Sequence, residues 1–445
     1  MEKDKNEYVT YVGHARTDIT PPLGVSMAGY AFRKDAGCTD IEDRLSADAC
    51  CITQDSLRLV WLTLDLCAVE EVWSEPLRQR IAEELDIPYD HIVISASHTH
   101  FGPATVKPVN DAHRDWLKQL NDNLLRIAVE AADNAQPATI STGVSDINRI
   151  AFNRRPLRAD GTCCTTYTLP PPEEGLQFRP IDPQQTLIRF DDADGRPILL
   201  LVSTPMHAVV GGKDAFAISA DYPGALREAL QRVYNVPVMF AAGTAGNVVP
   251  FKRGEGMRQV IGNYLAGAAM QAAELCTRCD GRLGIMRQRF LVPTAERLSE
   301  DVMSRREQEA RRYLDECKLG GDAWLIARAQ QAWERAAALL RAAQRLGPGN
   351  NRPFDITVIG YGDLGIVFLP GEIFAETGLY IKSRSPFPVT LVVSLTNQQT
   401  GYLATRNAIW EGGYEAVSTP YGIESEGFVT DNVIGLLLQV WEKTR

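Results

Sequence analysis

Apolar positions along this chain fall into short runs of strand character and longer stretches of helical period, and their order predicts a layered α/β fold. Residues 49–52 and 58–66 (RLVWLTLDL) are β-branched and apolar and read as strands. A helix follows over residues 74–85 with Ser74 as its N-cap, then a buried strand over 91–97 (HIVISAS) and a second helix over 111–134. Residues 169–183 (LPPPEEGLQFRPIDP) hold too many prolines for a regular element and read as a long ordered loop. Strands at 198–204 and 238–242 flank a helix at 222–234. From 295 to 346 the chain becomes charged and alanine-rich, broken once at Gly320-Gly321, which predicts a helical hairpin suited to packing or oligomerisation. After Gly347-Pro348-Gly349, β character returns at 355–360, 365–369 and 390–395, and a helix over 431–441 closes the chain. No internal repeat is visible. The expected architecture is one α/β domain over residues 1–445, a layered mixed β-sheet with flanking helices, carrying the hairpin as an insertion at 295–348.

Composition narrows the function classes. Of 445 residues, 45% are hydrophobic and 23% charged, as in folded globular proteins. A net charge of −10 gives no basic face for sequence-independent nucleic-acid binding. No run of about 18 apolar residues is present, so no membrane span is expected. Residues 1–10 (MEKDKNEYVT) are charged and lack the apolar core of a secretory leader. The nine cysteines include the adjacent pairs Cys50-Cys51 and Cys163-Cys164, poor material for a disulfide framework. Free thiols and a cytoplasmic location are therefore expected. Cys276 and Cys279 form a C-x-x-C, read as lying in a helix and its end, with no second pair at zinc-finger spacing.

With only six histidines, their placement is informative. His98 and His100 leave the strand HIVIS in SASHTHFGP, and on an extended segment both side chains point the same way. Such a pair fits a metal site and fits equally a hydrogen-bonded surface pair. His207 ends another apolar run, LLLVSTPMHA, where a structural histidine is the ordinary reading; three histidines at the ends of two strands point to a shared site. Glu372, in IVFLPGEIF, could complete a His/His/Glu set with an open position for water, or simply complement a helix N-terminus. Asp65 and Asp221 are candidates to orient the histidines. His14, His91 and His113 read as structural or exposed.

Across these blocks the sequence resembles the neutral, non-lysosomal ceramidases, a family of zinc-dependent amidases. The resemblance runs through VGHARTDITPPLGVSMAGY, SASHTHFGP, the INR at 147–149, ISADYPG at 218–224, and TNQQTGYLATRNAIWEGGYEAVSTPYG. It implies one zinc ion per chain held by His98, His207, Glu372 and Tyr402. It also implies that His100 hydrogen-bonds substrate or water, that Tyr414 steadies the oxyanion, and that Arg149 fixes substrate or intermediate. The family's G-D-V-S-P-N block, source of a serine once proposed as nucleophile, reads AGNVVPF here, with Asn247 for the aspartate and Val249 for the serine. Valine has no lone pair with which to attack, so metal-activated water is the expected nucleophile.

The leading expectation is a zinc-dependent hydrolase using activated water on an amide or related polar bond of a small soluble substrate. A second reading keeps the metal but acts on a polyhydroxylated compound, as a glycoside hydrolase, lyase or isomerase, with Asn247, Asn397, Gln398, Gln399 and Thr400 suited to hydroxyl recognition. A third is an inactive metal-binding homologue. The hairpin makes a homodimer plausible and is placed to reshape or cap the pocket.

Overall fold

The strand runs pair into three sheets that share one topology. The computed structural model describes residues 8–147, 149–212, 214–295, 299–321, 323–346 and 351–445. In the first unit β1 (Thr10–Asp18), β2 (Ser46–Gln54) and β3 (Leu57–Leu64) form an antiparallel meander. Helix α1 (Glu71–Leu85) then crosses over so that β4 (Ile92–Ala96) lies parallel to β3, and α2 (Asp111–Asp133) packs across β1 and β2.

The second unit repeats this order. Antiparallel β5 (Thr139–Asp146), β6 (Gln184–Asp191) and β7 (Pro197–Thr204) lead through α3 (Asp221–Tyr234) to the parallel strand β8 (Val238–Ala242), and α4 (Met257–Glu274) covers β5 and β6. In the third unit β9 (Leu283–Val292) is followed by the hairpin α5 (Glu300–Gly320) and α6 (Ala323–Leu346), then by β10 (Arg352–Tyr361) and β11 (Leu364–Phe368). Helix α7 (Ala375–Arg384) crosses to the parallel β12 (Val389–Val393). Two short helices, α8 (Arg406–Glu411) and α9 (Tyr414–Ser418), precede α10 (Ser425–Lys443), which packs across β9 and β10. The chain is thus built from three copies of one β-β-β-α-β-α unit, where its sequence shows no repeat. Only the alternation of apolar positions must recur for the topology to recur, and that constrains few identities.

Alternation also places the core. Ile52, Trp61, Phe190, Leu201, Ile366 and Phe368 point from the three sheets into one shared cluster, where Trp61 meets Phe368 edge-on at 4.8 Å. The opposite sheet faces bury against the helices. Each such side chain contributes about 1.5–3 kcal/mol on full burial. Because the first and third strands of each meander run the same way, β1–β2, β5–β6 and β9–β10 connections leave from the edge where β3, β7 and β11 end. Carboxyl ends of strands beside a parallel crossover are where such sheets open a crevice.

Some boundaries differ from expectation. Helix α1 starts at Glu71, so Ser74 is inside it and donates its hydroxyl to the Asn397 carbonyl rather than capping the end. Helix α10 begins at Ser425, not at 431. The C-x-x-C lies beyond α4: Thr277–Cys279 is a short strand on β5. Residues 169–183 contain only one turn of 3-10 helix, Pro172–Glu174. The break expected at 347–349 lies outside the described residues, as do residues 1–7. Among the described residues, no helix is long and apolar enough to cross a membrane.

Candidate metal centre

Three side chains from three different units meet at this strand edge. His98 follows β4 with φ of 64°, a left-handed conformation rarely adopted by a residue with a Cβ and found at strained functional positions. Its Nδ1 donates to the Cys67 carbonyl at 2.6 Å. His207 follows β7, and its Nδ1 donates to the Ala245 carbonyl at 2.6 Å. A backbone carbonyl only accepts, so both rings carry a proton on Nδ1 and turn Nε2 inward, the nitrogen a metal would meet once it is deprotonated. These nitrogens lie 3.4 Å (His98) and 3.2 Å (His207) from Oε2 of Glu372. Glu372 belongs to the short strand Glu372–Ile373 rather than to a helix start, and pairs parallel with Tyr402–Leu403, so that Glu372 and Tyr402 are direct neighbours.

The electrostatics ask for a cation. Burial disfavours charge on all three groups, yet the Glu372 carboxylate lifts His98 to about 10, while burial and Arg154 push His207 down to about 4. Burial would raise Glu372, but His98 and His207 hold it well below the usual carboxylate range. One positive charge is favoured among the two imidazoles and the carboxylate; a proton on His98 supplies it without a metal, and a metal ion would supply it with every donor deprotonated. The three donor atoms lie within 4.8 Å of one another, so the residues fit a metal.

Around this trio the other expected residues divide. Nε2 of His100 lies 3.2 Å from Nε2 of His98, its ring meets Tyr30 edge-on at 5.0 Å, and its buried Nδ1 has no hydrogen-bond partner. Tyr402 is buried, and its hydroxyl accepts from Arg154 at 3.0 Å. Tyr414 stands half-exposed at the mouth, its ring 5.8 Å from that of Tyr402. Asp65 does not reach the histidines; it forms a two-point ion pair with Arg227 at 2.8 and 2.5 Å. Asp221 accepts from the amides of Gly211 and Tyr222, tying down the loop after His207 instead of a ring. Asn247 bridges the Ala375 amide and Glu376, anchoring the helix that follows Glu372, and is buried away from any hydroxyl to be recognised.

Arg149 is exposed on a turn, away from the buried trio. The guanidinium at the centre belongs to Arg154, 3.5 Å from Nε2 of His207. The run Asn153-Arg154-Arg155-Pro156 fits the same I-N-R-S-P pattern five residues downstream, and that was the available signal. Arg154 and Arg155 share the buried Glu415, each at 2.6 Å, and Arg155 also holds the Ala408 and Gly412 carbonyls. Burial opposes charge on Arg154, but Tyr402 and Glu415 outweigh it and keep the guanidinium firmly protonated. This cluster fastens the segment carrying Tyr414 beside the His/His/Glu trio, and α6 of the hairpin packs against the same α9.

Gly29 lies directly over His100: its φ is 94° and an added Cβ would sit 2.7 Å from the His100 Cα. Gly29→Ala is expected to displace His100 and cost about 1–3 kcal/mol through backbone strain and overpacking. Urea titration checks the stability; a variant as stable and active as wild type would show that His100 tolerates the shift.

Three α/β units meeting at a buried His/His/Glu trio define an α/β protein with a candidate metal centre. Residues 10–246, over half of the chain, match the family described as "Neutral/alkaline non-lysosomal ceramidase, N-terminal". The chain belongs to that family. Neutral ceramidase A of Dictyostelium discoideum is 24% identical over 225 residues, 48% of this chain and 30% of that protein. Neutral ceramidase 3 of Arabidopsis thaliana is 23% identical over 200 residues, 42% of this chain and 26% of that one. The matched stretch thus spans less than a third of either relative. The fold is that of the neutral ceramidase from Pseudomonas aeruginosa, with a TM-score of 0.72 at 18% identity, covering 98% of this chain and 75% of that chain. A ceramidase complexed with C2 matches with a TM-score of 0.74 at 17% identity, covering 98% of this chain and 76% of that one.

Proposed function

We propose that this chain is a metal-dependent hydrolase that cleaves an amide in a small N-acylated substrate. The observation that carries the reading is the convergence of two Nε2 atoms on Glu372, with both Nδ1 protons committed to backbone carbonyls. Such an N/N/O set, with the Tyr402 phenol as a fourth donor, suits zinc. When bound, zinc supplies Lewis acidity to the scissile carbonyl and lowers the pKa of water.

This chain's own residues supply the rest. Arg154, held by Glu415, faces the place where negative charge develops on the carbonyl oxygen. His100, whose Nδ1 is free of protein partners, takes up and returns the proton. The Tyr414 hydroxyl, at the mouth, donates to the same oxygen. Val249 is fully buried and apolar and offers no nucleophile, so no acyl-enzyme forms at this position. The polyhydroxylated-substrate reading draws no support from Asn247, Asn397 or Gln398, because the first holds α7, and the other two bond the amides of Ile94 and Asp355.

A matched panel of N-acyl compounds and glycosides, assayed after chelation and again after zinc is restored, tests the proposal. Amide hydrolysis that disappears on chelation and returns with zinc is expected. Sugar release without amide cleavage would replace it with the carbohydrate reading.

A further inference from the structure

The arginines around this site are committed, with one exception. Arg33 donates to the carbonyls of Ala28, His100 and Ala215, while Arg154 and Arg155 share Glu415. Arg253, on the loop after the short strand Val248–Pro250, has no hydrogen bond or ion pair among the described residues, and its Nε is buried without a partner. Its guanidinium carbon lies 5.9 Å from the centre of the Tyr167 ring, and that of Arg154 lies 5.8 Å from the same ring. Its charge also acts on Tyr30, which contacts His100, and on Asp221. Arg253 therefore lies against Tyr167, beside the second guanidinium that reaches His207.

An unpaired guanidinium brought partly out of water and next to a like charge is costly, and such groups persist where a ligand neutralises them. Burial, with the charge of Arg154 adding to it, pushes the Arg253 pKa down; Tyr30, Asp221 and Tyr167 act in the opposite direction without cancelling that effect, and none of them forms an ion pair with it. The planar fork of an arginine matches a carboxylate in two parallel hydrogen bonds.

We infer that the substrate carries a carboxylate close to its scissile amide, as N-acyl amino acids do, and that Arg253 binds it. This rests on the hydrolase reading above for the amide, but the carboxylate site stands on Arg253 alone. Tyr167 packs against the guanidinium, and the metal centre meets the acyl amide beside it.

The test uses metal-loaded protein and N-acyl amino acids, each paired with its neutral primary-amide counterpart, so that only the charge changes. Binding is followed by calorimetry and turnover is measured in parallel. Wild type should bind each carboxylate about tenfold or more tighter than its counterpart. Arg253→Gln should reduce that preference to about twofold or less, with Arg253→Lys between the two. The neutral compounds should bind equally to wild type and Arg253→Gln, which also shows that the variant is folded. Equal binding of charged and neutral compounds to wild type overturns the inference, as does a preference that survives Arg253→Gln. Arg253-dependent binding without turnover supports the carboxylate site and removes the amidase reading instead.

Discussion

Glu372→Ala is expected to empty the metal site: bound zinc should fall from about one ion per chain to near zero, and hydrolysis should fall with it. Even groups that merely support a ligand cost ten- to a hundredfold in metal affinity when removed, so losing the only carboxylate of the trio should exceed about a hundredfold. The charge argument points the same way. Among the described residues Glu372 is the carboxylate that faces Nε2 of both His98 and His207, and without it two imidazoles remain in a buried site with no anion beside them to favour a cation. The fold should survive, since removing a carboxylate whose main partners are His98 and His207 leaves no unpaired buried charge. Elemental analysis of purified, untagged protein reads the outcome, with circular dichroism as the fold control. His98→Ala should behave alike; full zinc retention in either variant would remove that residue from the ligand set.

Glu415→Ala should damage the fold and the site together. Glu415 is fully buried and neutralises both Arg154 and Arg155 through contacts of 2.6 Å. Removing one partner from a buried pair typically costs about 3–5 kcal/mol, because the remaining charge has lost its compensation. Here two guanidinium groups are left behind, which places the expected loss at the upper part of that range. Arg154 would also lose the contact that holds it beside His207, so turnover should drop even where the protein remains folded. Denaturant unfolding measures the first effect and turnover at low temperature the second. A stability change under about 1 kcal/mol would show that the two arginines are compensated by other groups.

How much of this was legible is best judged residue by residue. The exits of β4 and β7 were visible as apolar runs ending in histidine, because a buried strand and its abrupt polar end are local features. Glu372 was visible as a carboxylate after a strand, but its setting was misjudged: the short strand it forms depends on pairing with Tyr402–Leu403, far along the chain. Arg149 and Arg154 sit in similar local sequence, and only the return of the chain through the short strand Ala151–Asn153 decides which guanidinium turns inward. Asp65 and Asp221 were sensible partners for histidine by position, yet each is captured by a nearer donor, Arg227 and the Gly211 amide.

The threefold repetition was hidden for a related reason. Each unit needs only three alternating strands, a crossover helix, a parallel strand and a covering helix, and many sequences satisfy that pattern. By itself, the sequence determined the strands and helices, the family resemblance and the residue types available for metal chemistry, because these follow from periodicity and motif over short spans. The tertiary structure alone decided that His98, His207 and Glu372, one from each unit, would meet, that Arg154 rather than Arg149 would join them, and that Arg253 would have no hydrogen bond or ion pair among the described residues. Those outcomes depend on which distant strand ends meet, and on which donor reaches each buried acceptor first.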